Sequence, residues 1–185
     1  FIYLRLDPAQ GPISVTQHPA PDDQASYQCT FHVDRVVFEA NWPTLRVLST
    51  AWVSPEDDIE FRKVVVVNHG QHSLTLDVLS ACDITLCPQA ADEAHPAFSN
   101  LFVQAQWLPD QHATLFTRQP RLPTENPLQA AHFIAATEGD VTRLQLQTDR
   151  QAWLGHNHAP SGPQAQLQPA PTTACTLVTG LDPVS

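Results

Sequence analysis

Apolar and polar residues alternate along most of this chain with a period of two. That is the pattern of strands with one covered face. Leu74, Leu76, Val78, Ser80, Cys82, Ile84 and Leu86 fall on one side of a long predicted strand. Thr75, Asp77, Ala81, Asp83 and Thr85 fall on the other, with Leu79 as the exception. Before it, Ile59, Phe61, Val65 and Val67 alternate with Glu60, Arg62, Val64 and Val66. This tract is apolar enough to predict a strand covered on both faces. It ends at Asn68-His69-Gly70-Gln71, a sequence suited to a hairpin turn.

Earlier strands are expected at Ser26–Val33, Arg35–Ala40 and Thr44–Val53, followed by a proline-and-acid turn at Ser54–Asp58. Later strands are expected at Leu101–Trp107, Ala113–Thr117, Ala130–Thr137, Thr142–Gln147 and Ala174–Thr179. Asp149 to Gly155 reads as one helical turn, with Asp149 as N-cap and Gly155 as its stop. Between the long strand and Leu101, Asp92-Glu93-Ala94-His95-Pro96 reads as a polar turn fixed by proline. Ala159–Thr173, rich in Pro, Gln and Ala, reads as loop. Strands every ten residues or so, with turns between, predict an all-β fold, a large two-sheet antiparallel sandwich with little helix.

Composition narrows the reading. At 185 residues the chain can bury a core as a single sandwich domain spanning 1–185. Seventeen prolines against six glycines agree with many loops and little helix. No apolar run approaches the roughly 20 residues of a membrane-spanning helix. Net charge is −10, and Lys63 is the one lysine. Nucleic acid and anionic membrane surfaces are therefore disfavoured as partners, while neutral sugars remain compatible. The chain opens at Phe1 inside an expected strand and contains no methionine, so it reads as a fragment of a larger multidomain protein. Cys29, Cys82, Cys87 and Cys175 form no CxxC pair and read as buried free thiols.

No phosphate-binding loop, dinucleotide fingerprint, nucleophile elbow or HExxH helix occurs. His156-Asn157-His158 places two imidazoles on one face of a strand. A metal site would need further ligands, His132 or a cysteine among them, and no metal or other cofactor is expected. The neighbouring carboxylates Asp22-Asp23 and Glu56-Asp57-Asp58 do not face each other across a sugar, so they read as solvated turns. Asp92, Glu93 and His95 are adjacent in sequence, whereas catalytic groups converge from separate elements. No catalytic residue is assigned. Trp42, Trp52, Trp107 and Trp153 each offer an indole face suited to stacking on a sugar ring. Trp42, beside Pro43 in an expected loop, is the least core-like.

Three segments carry a family resemblance. Val53-Ser54-Pro55-Glu56-Asp57-Asp58-Ile59-Glu60-Phe61-Arg62-Lys63-Val64, followed by Asn68, is similar to a strand entry of the form VSPEDDVEVRRV…N. The Asp92–Val103 segment is similar to ADxAHPAFSKLFV. Thr148–Gly155 is similar to TDRxxFLGRG, with Leu181-Asp182-Pro183-Val184 similar to LDPIFSLR. Together they resemble the β-supersandwich domain of the glycoside hydrolase family 94 type, formerly glycosyltransferase family 36, and within it the cyclic β-1,2-glucan synthase branch. Departures occur where the family has RRPRS and GRGR: this chain reads Arg118-Gln119-Pro120-Arg121-Leu122 and Gly155-His156-Asn157-His158.

The resemblance implies a bacterial accessory domain preceding an (α/α)6 barrel that carries catalysis without a metal cofactor. It further implies a membrane-bound parent whose soluble parts face the cytoplasm, with the sandwich supporting β-1,2-glucan synthesis or chain-length control. The expected partners are β-1,2-glucan or a related β-glucoside, the rest of the same chain, and a second copy in a homodimer. Trp42, His95 and Trp107 are the residues expected to contact sugar. A stand-alone glucan-binding module and a mutarotase-like sugar epimerase are the competing readings.

Overall fold

A computed structural model describes residues 1–7, 9–94, 100–120, 122, 125, 127–139, 141–156 and 159–179. Among these residues the protein is mostly β, with four antiparallel sheets and two short α-helices. The chain divides into two compact units, Phe1–Ser80 with His158–Pro163, and Ala81–Asn157 with Gln164–Ser185.

The first unit holds two sheets. In one, β1 (Ile2–Arg5) lies between β2 (Ile13–Ser14) and β7 (Asp77–Ser80). The other is a four-stranded meander of β3 (Ser26–Phe31), β4 (Val36–Asn41), β5 (Leu45–Val53) and β6 (Glu60–Asn68), in that order. Leu45 and Val47 on alternate positions of β5 meet Ile2, Leu4 and Val15, with Ile13, Trp42, Val64, Leu76 and Val78 packed around them. Burying such side chains contributes about 1.5–3 kcal/mol each. Tyr3 faces the other side of β1 and is fully buried, its hydroxyl donating to the Pro160 carbonyl at 3.1 Å.

In the second unit, β8 (Val103–Leu108), β9 (Ala113–Arg118) and β10 (Leu128–Phe133) form a meander, and β13 (Cys175–Leu177) joins the free side of β8. Its core comprises Ile84, Val103, Ala105 and Phe116, with Cys82, Leu86 and Leu177 packed against it. A two-residue ladder pairs β11 (Gln145–Leu146) with β12 (Gln168–Pro169). The helices are α1 (Gln89–Ala94) and α2 (Arg150–Leu154). Asp149 caps α2 as its sequence predicts, accepting from the Gln151 amide at 2.8 Å. Gly155 then takes φ 85°, a left-handed conformation that favours glycine.

Four expectations are corrected. The long strand from Leu74 to Leu86 forms a ladder over Asp77–Ser80, against β1, and past it makes an isolated bridge at Asp83. Beyond Ser80 the chain leaves that sheet, yet Cys82, Ile84 and Leu86 still point together into the second core. The alternation reported a covered face, not a continuous ladder. β6 is not covered on both sides: it lies at the edge of its sheet, and Val65 and Val66 are exposed. The turn after it is real, with Asn68 accepting from the Gly70 amide, but it makes no hairpin, because the next strand pairs with β1. Finally, Asp92 and Glu93 sit on a helix rather than in a turn. Gln89, Ala90, Ala91, Glu93 and Ala94 are good helix formers, and Gln89 donates to Glu93 one turn on at 2.6 Å.

Candidate functional site

The sugar-contact candidate with the most developed surroundings is Trp42. β4 and β5 join through Pro43-Thr44, and Trp42 and Leu45 close that turn by backbone hydrogen bonds of 2.8 and 3.4 Å. The indole is half-buried. One part packs against the first core, while its N–H donates to Asp22 Oδ2 at 2.8 Å. Tyr27 meets it edge-on, with ring centroids 6.4 Å apart and planes at 76°. Such edge-to-face pairs contribute about 0.5–1.5 kcal/mol beyond buried area. The Tyr27 hydroxyl accepts from the Asp22 amide at 3.0 Å. Asp22 Oδ1 accepts from the Gln24 amide at 2.9 Å. Asp22 is therefore no solvated turn acid; it positions both rings.

Tyr27 also lines a cleft of about 80 Å3, walled by Val15, Thr16 and Gln17 and floored by Tyr27, Gln28, Cys29 and Phe38. Gln17 adopts φ 71°, an uncommon conformation for a residue with a side chain. It is bracketed by Thr16 Oγ1 donating to the His18 carbonyl at 2.8 Å and the His18 amide donating to the Thr16 carbonyl at 3.0 Å. The cleft is too small to enclose a whole ligand of the usual 300–1,000 Å3 class. It admits one edge of a ring. Its lining carries no carboxylate or imidazole, and its titratable groups are Tyr27 and Cys29. Burial pushes the Tyr27 phenol above its ordinary range; the hydrogen bond to Asp22 opposes this, and the Asp22 and Asp23 carboxylates add to it. The lining sets hydroxyl and amide groups beside the rings of Tyr27 and Phe38. It offers no acid–base pair.

Trp107 is in the other unit. It is 4% exposed, and its N–H donates to the Pro171 carbonyl at 2.7 Å, so the indole has no open face for a sugar. His95 lies outside the described residues, as do Asn157 and His158 of the histidine pair. Trp153 is buried. Among the described residues no group of three or more His, Cys, Asp or Glu side chains could hold a metal ion.

Three features were missed from sequence. Trp52 and Phe61, directly opposed on β5 and β6, stack with centroids 5.1 Å apart and planes at 18°. The signal was available, since Trp52 is out of phase with Leu45 and Val47 and so faces away from the first core. Arg118 is 6% exposed and lies 3.6 Å from Glu125, and among the described residues its Nε has no hydrogen-bond partner. Cys82 contacts His132, fifty residues away in sequence. Local patterning carries no information about such pairs.

Along its whole length, residues 1–185, the chain matches the family described as the supersandwich domain of glycosyl hydrolase 94, and it belongs to that family. It is also 26% identical, over 184 residues, to the cyclic beta-(1,2)-glucan synthase NdvB of Rhizobium meliloti (strain 1021). The match takes in 100% of this chain and 6% of that protein, so the chain spans a small fraction of its relative. No helix among the described residues is long and apolar enough to cross a membrane.

Proposed function

We propose that this chain is a non-catalytic accessory domain of a cyclic β-1,2-glucan synthase-like protein. It supports a separate catalytic domain and contacts the glucan during synthesis or chain-length control. The observation that carries this reading is the family match over all 185 residues, joined to the relationship with a named glucan synthase. The parent acts as a glycosyltransferase or glycoside phosphorylase at the cytoplasmic side of a bacterial inner membrane. Its β-1,2-glucan, the remainder of its own chain and a second copy are this domain's partners.

Within the domain, Trp42 with Tyr27 is the favoured sugar contact, because the cleft beside them is neutral, aromatic and rimmed by Thr16 and Gln17. His95 is retained as a contact from the opposite part of the sequence. Trp107 acts from the core, holding β8 in place. Calorimetric titration with linear β-1,2-glucooligosaccharides tests the contact. Saturable heat that is lost in Trp42→Ala supports it. No heat up to millimolar sugar removes glucan contact and leaves only the supporting role. That role is tested in a full-length cyclic glucan synthase: deleting the corresponding domain should lower yield or change product length, and an unchanged product profile would contradict it.

A further inference from the structure

We propose that Cys82 is the reactive thiol of this domain, activated by His132 and open to modification by low-molecular-weight disulfides and alkylating electrophiles. The two side chains come from separate elements of the second unit. Ala81 and Ile84, 4% and 7% exposed, anchor the segment that carries Cys82. His132 sits on β10, the edge strand of the sheet beneath, in one row with Thr114 and Trp107. Cys82 Sγ lies 3.8 Å from His132 Nδ1, and both residues are half-buried. A thiol held against an imidazole and still reachable from solvent is the environment in which cysteine becomes nucleophilic.

Asp83 is exposed and is engaged by Arg150 at 2.9 Å. Arg118 and Glu125 belong to the far end of the same face. Arg118 is four residues along β9 from Thr114, about 13 Å at strand spacing. Cys175, on β13, is three strands from His132, about 14 Å.

The chemistry balances with a disulfide as oxidant. His132 Nδ1 takes the thiol proton, and the Cys82 sulfur attacks one sulfur of R–S–S–R. That bond breaks, R–S⁻ departs and is protonated by water, and Cys82–S–S–R remains. Thiol is oxidised as half of the reagent is reduced. An adduct here would enlarge a side chain packed against the cluster of Ile84, Val103, Ala105 and Phe116, so modification is coupled to the packing of the second core.

Exposure alone predicts a different order of reactivity, because Cys29 is the exposed cysteine and Cys82 is half-buried. The test is timed iodoacetamide labelling, quantified peptide by peptide by mass spectrometry, at pH 7 and pH 10, on the wild-type chain and on His132→Gln. A parallel arm uses hydroxyethyl disulfide. At pH 7 Cys82 should react about threefold faster than Cys29, the gain in thiolate being partly offset by lower intrinsic nucleophilicity. H132Q should abolish that lead. At pH 10, where thiols ionise unaided, the two proteins should label Cys82 alike. The disulfide arm should form the Cys82 adduct ahead of the Cys29 adduct, by a similar factor. Cys29 reacting first at pH 7 would overturn the proposal, as would a Cys82 rate unchanged by H132Q or a difference that persists at pH 10. Should H132Q fail to fold, the wild-type order of Cys82 and Cys29 decides.

Discussion

Both units are built on a four-stranded antiparallel sheet, yet they cover it differently. In the first, the sheet β3-β4-β5-β6 is a run of consecutive strands, and a second small sheet supplies the apolar layer over Leu45 and Val47. In the second, β13 arrives from far along the chain to complete the sheet, and the covering layer is the irregular segment carrying Cys82, Ile84 and Leu86. The buried polar residues differ too. Ser14 and Ser49 in the first unit are small hydroxyls, and Ser14 accepts from the Ala20 amide at 3.1 Å. The second buries Thr114, Thr148 and the guanidinium of Arg118. Each sheet satisfies its own backbone in its ladder, so the contrast lies in the side chains: among the described residues the second unit buries an Arg118 Nε with no hydrogen-bond partner.

The largest test of this contrast is a cavity in each core. Phe116→Ala, at a fully buried position, should cost about 3–5 kcal/mol, and Leu4→Ala about 2–5 kcal/mol. Hydrogen exchange should place each loss in its own unit. Equal loss of protection in both units from either substitution would break the division. Next comes the buried charge. Glu125→Gln leaves Arg118 buried without its carboxylate and should cost about 1–3 kcal/mol. Arg118→Met, which removes the charge and the orphaned Nε together, should stay within about 1 kcal/mol of wild type by chemical denaturation. A severe loss in R118M would mean that the guanidinium holds more than Glu125.

Smaller effects follow. Asp149→Ala should cost about 1 kcal/mol, the usual value of an N-cap. Tyr27, raised in the folded state, favours its neutral phenol. Its contribution is complete below the ordinary tyrosine range and is lost as pH rises through the folded value. Ultraviolet titration should show Tyr27 ionising late, as a step present in wild type and absent in Tyr27→Phe. The smallest change concerns Glu39, lowered by hydrogen bonds from Arg46 and Asn41. Any stabilisation it gives is present above the ordinary carboxylate range and fades as pH falls through the lowered one. Arg46→Met should flatten that acid limb, lowering stability above the carboxylate range while leaving it unchanged at pH values where Glu39 is protonated.

Much of the fold was legible because strand alternation and turn chemistry are local. β3, β4, β5, β8 and β9 fall within a residue or two of their expected bounds, and the α2 cap was readable from Asp149 and Gly155. Pairing partners were not legible. Nothing in Leu74–Leu86 announces that its first half pairs with β1 while its second half lies over another sheet. The expected strand at Thr142–Gln147 shrinks to Gln145–Leu146, whose partner Gln168–Pro169 lies in a segment read as loop. Of the expected sugar contacts, Trp42 was picked out by its loop position. Its anchoring by Asp22, twenty residues earlier, was invisible until the chain was folded.

The account rests most directly on glucan contact at Trp42. The decisive measurement is a 15N–1H correlation spectrum of the indole N–H groups during titration with linear β-1,2-glucooligosaccharides, with Trp42 assigned through Trp42→Phe. The account predicts a saturable shift of the Trp42 signal while the enclosed Trp107 signal stays still. Indole signals that remain unmoved at saturating sugar, or a shift confined to Trp107, would contradict it.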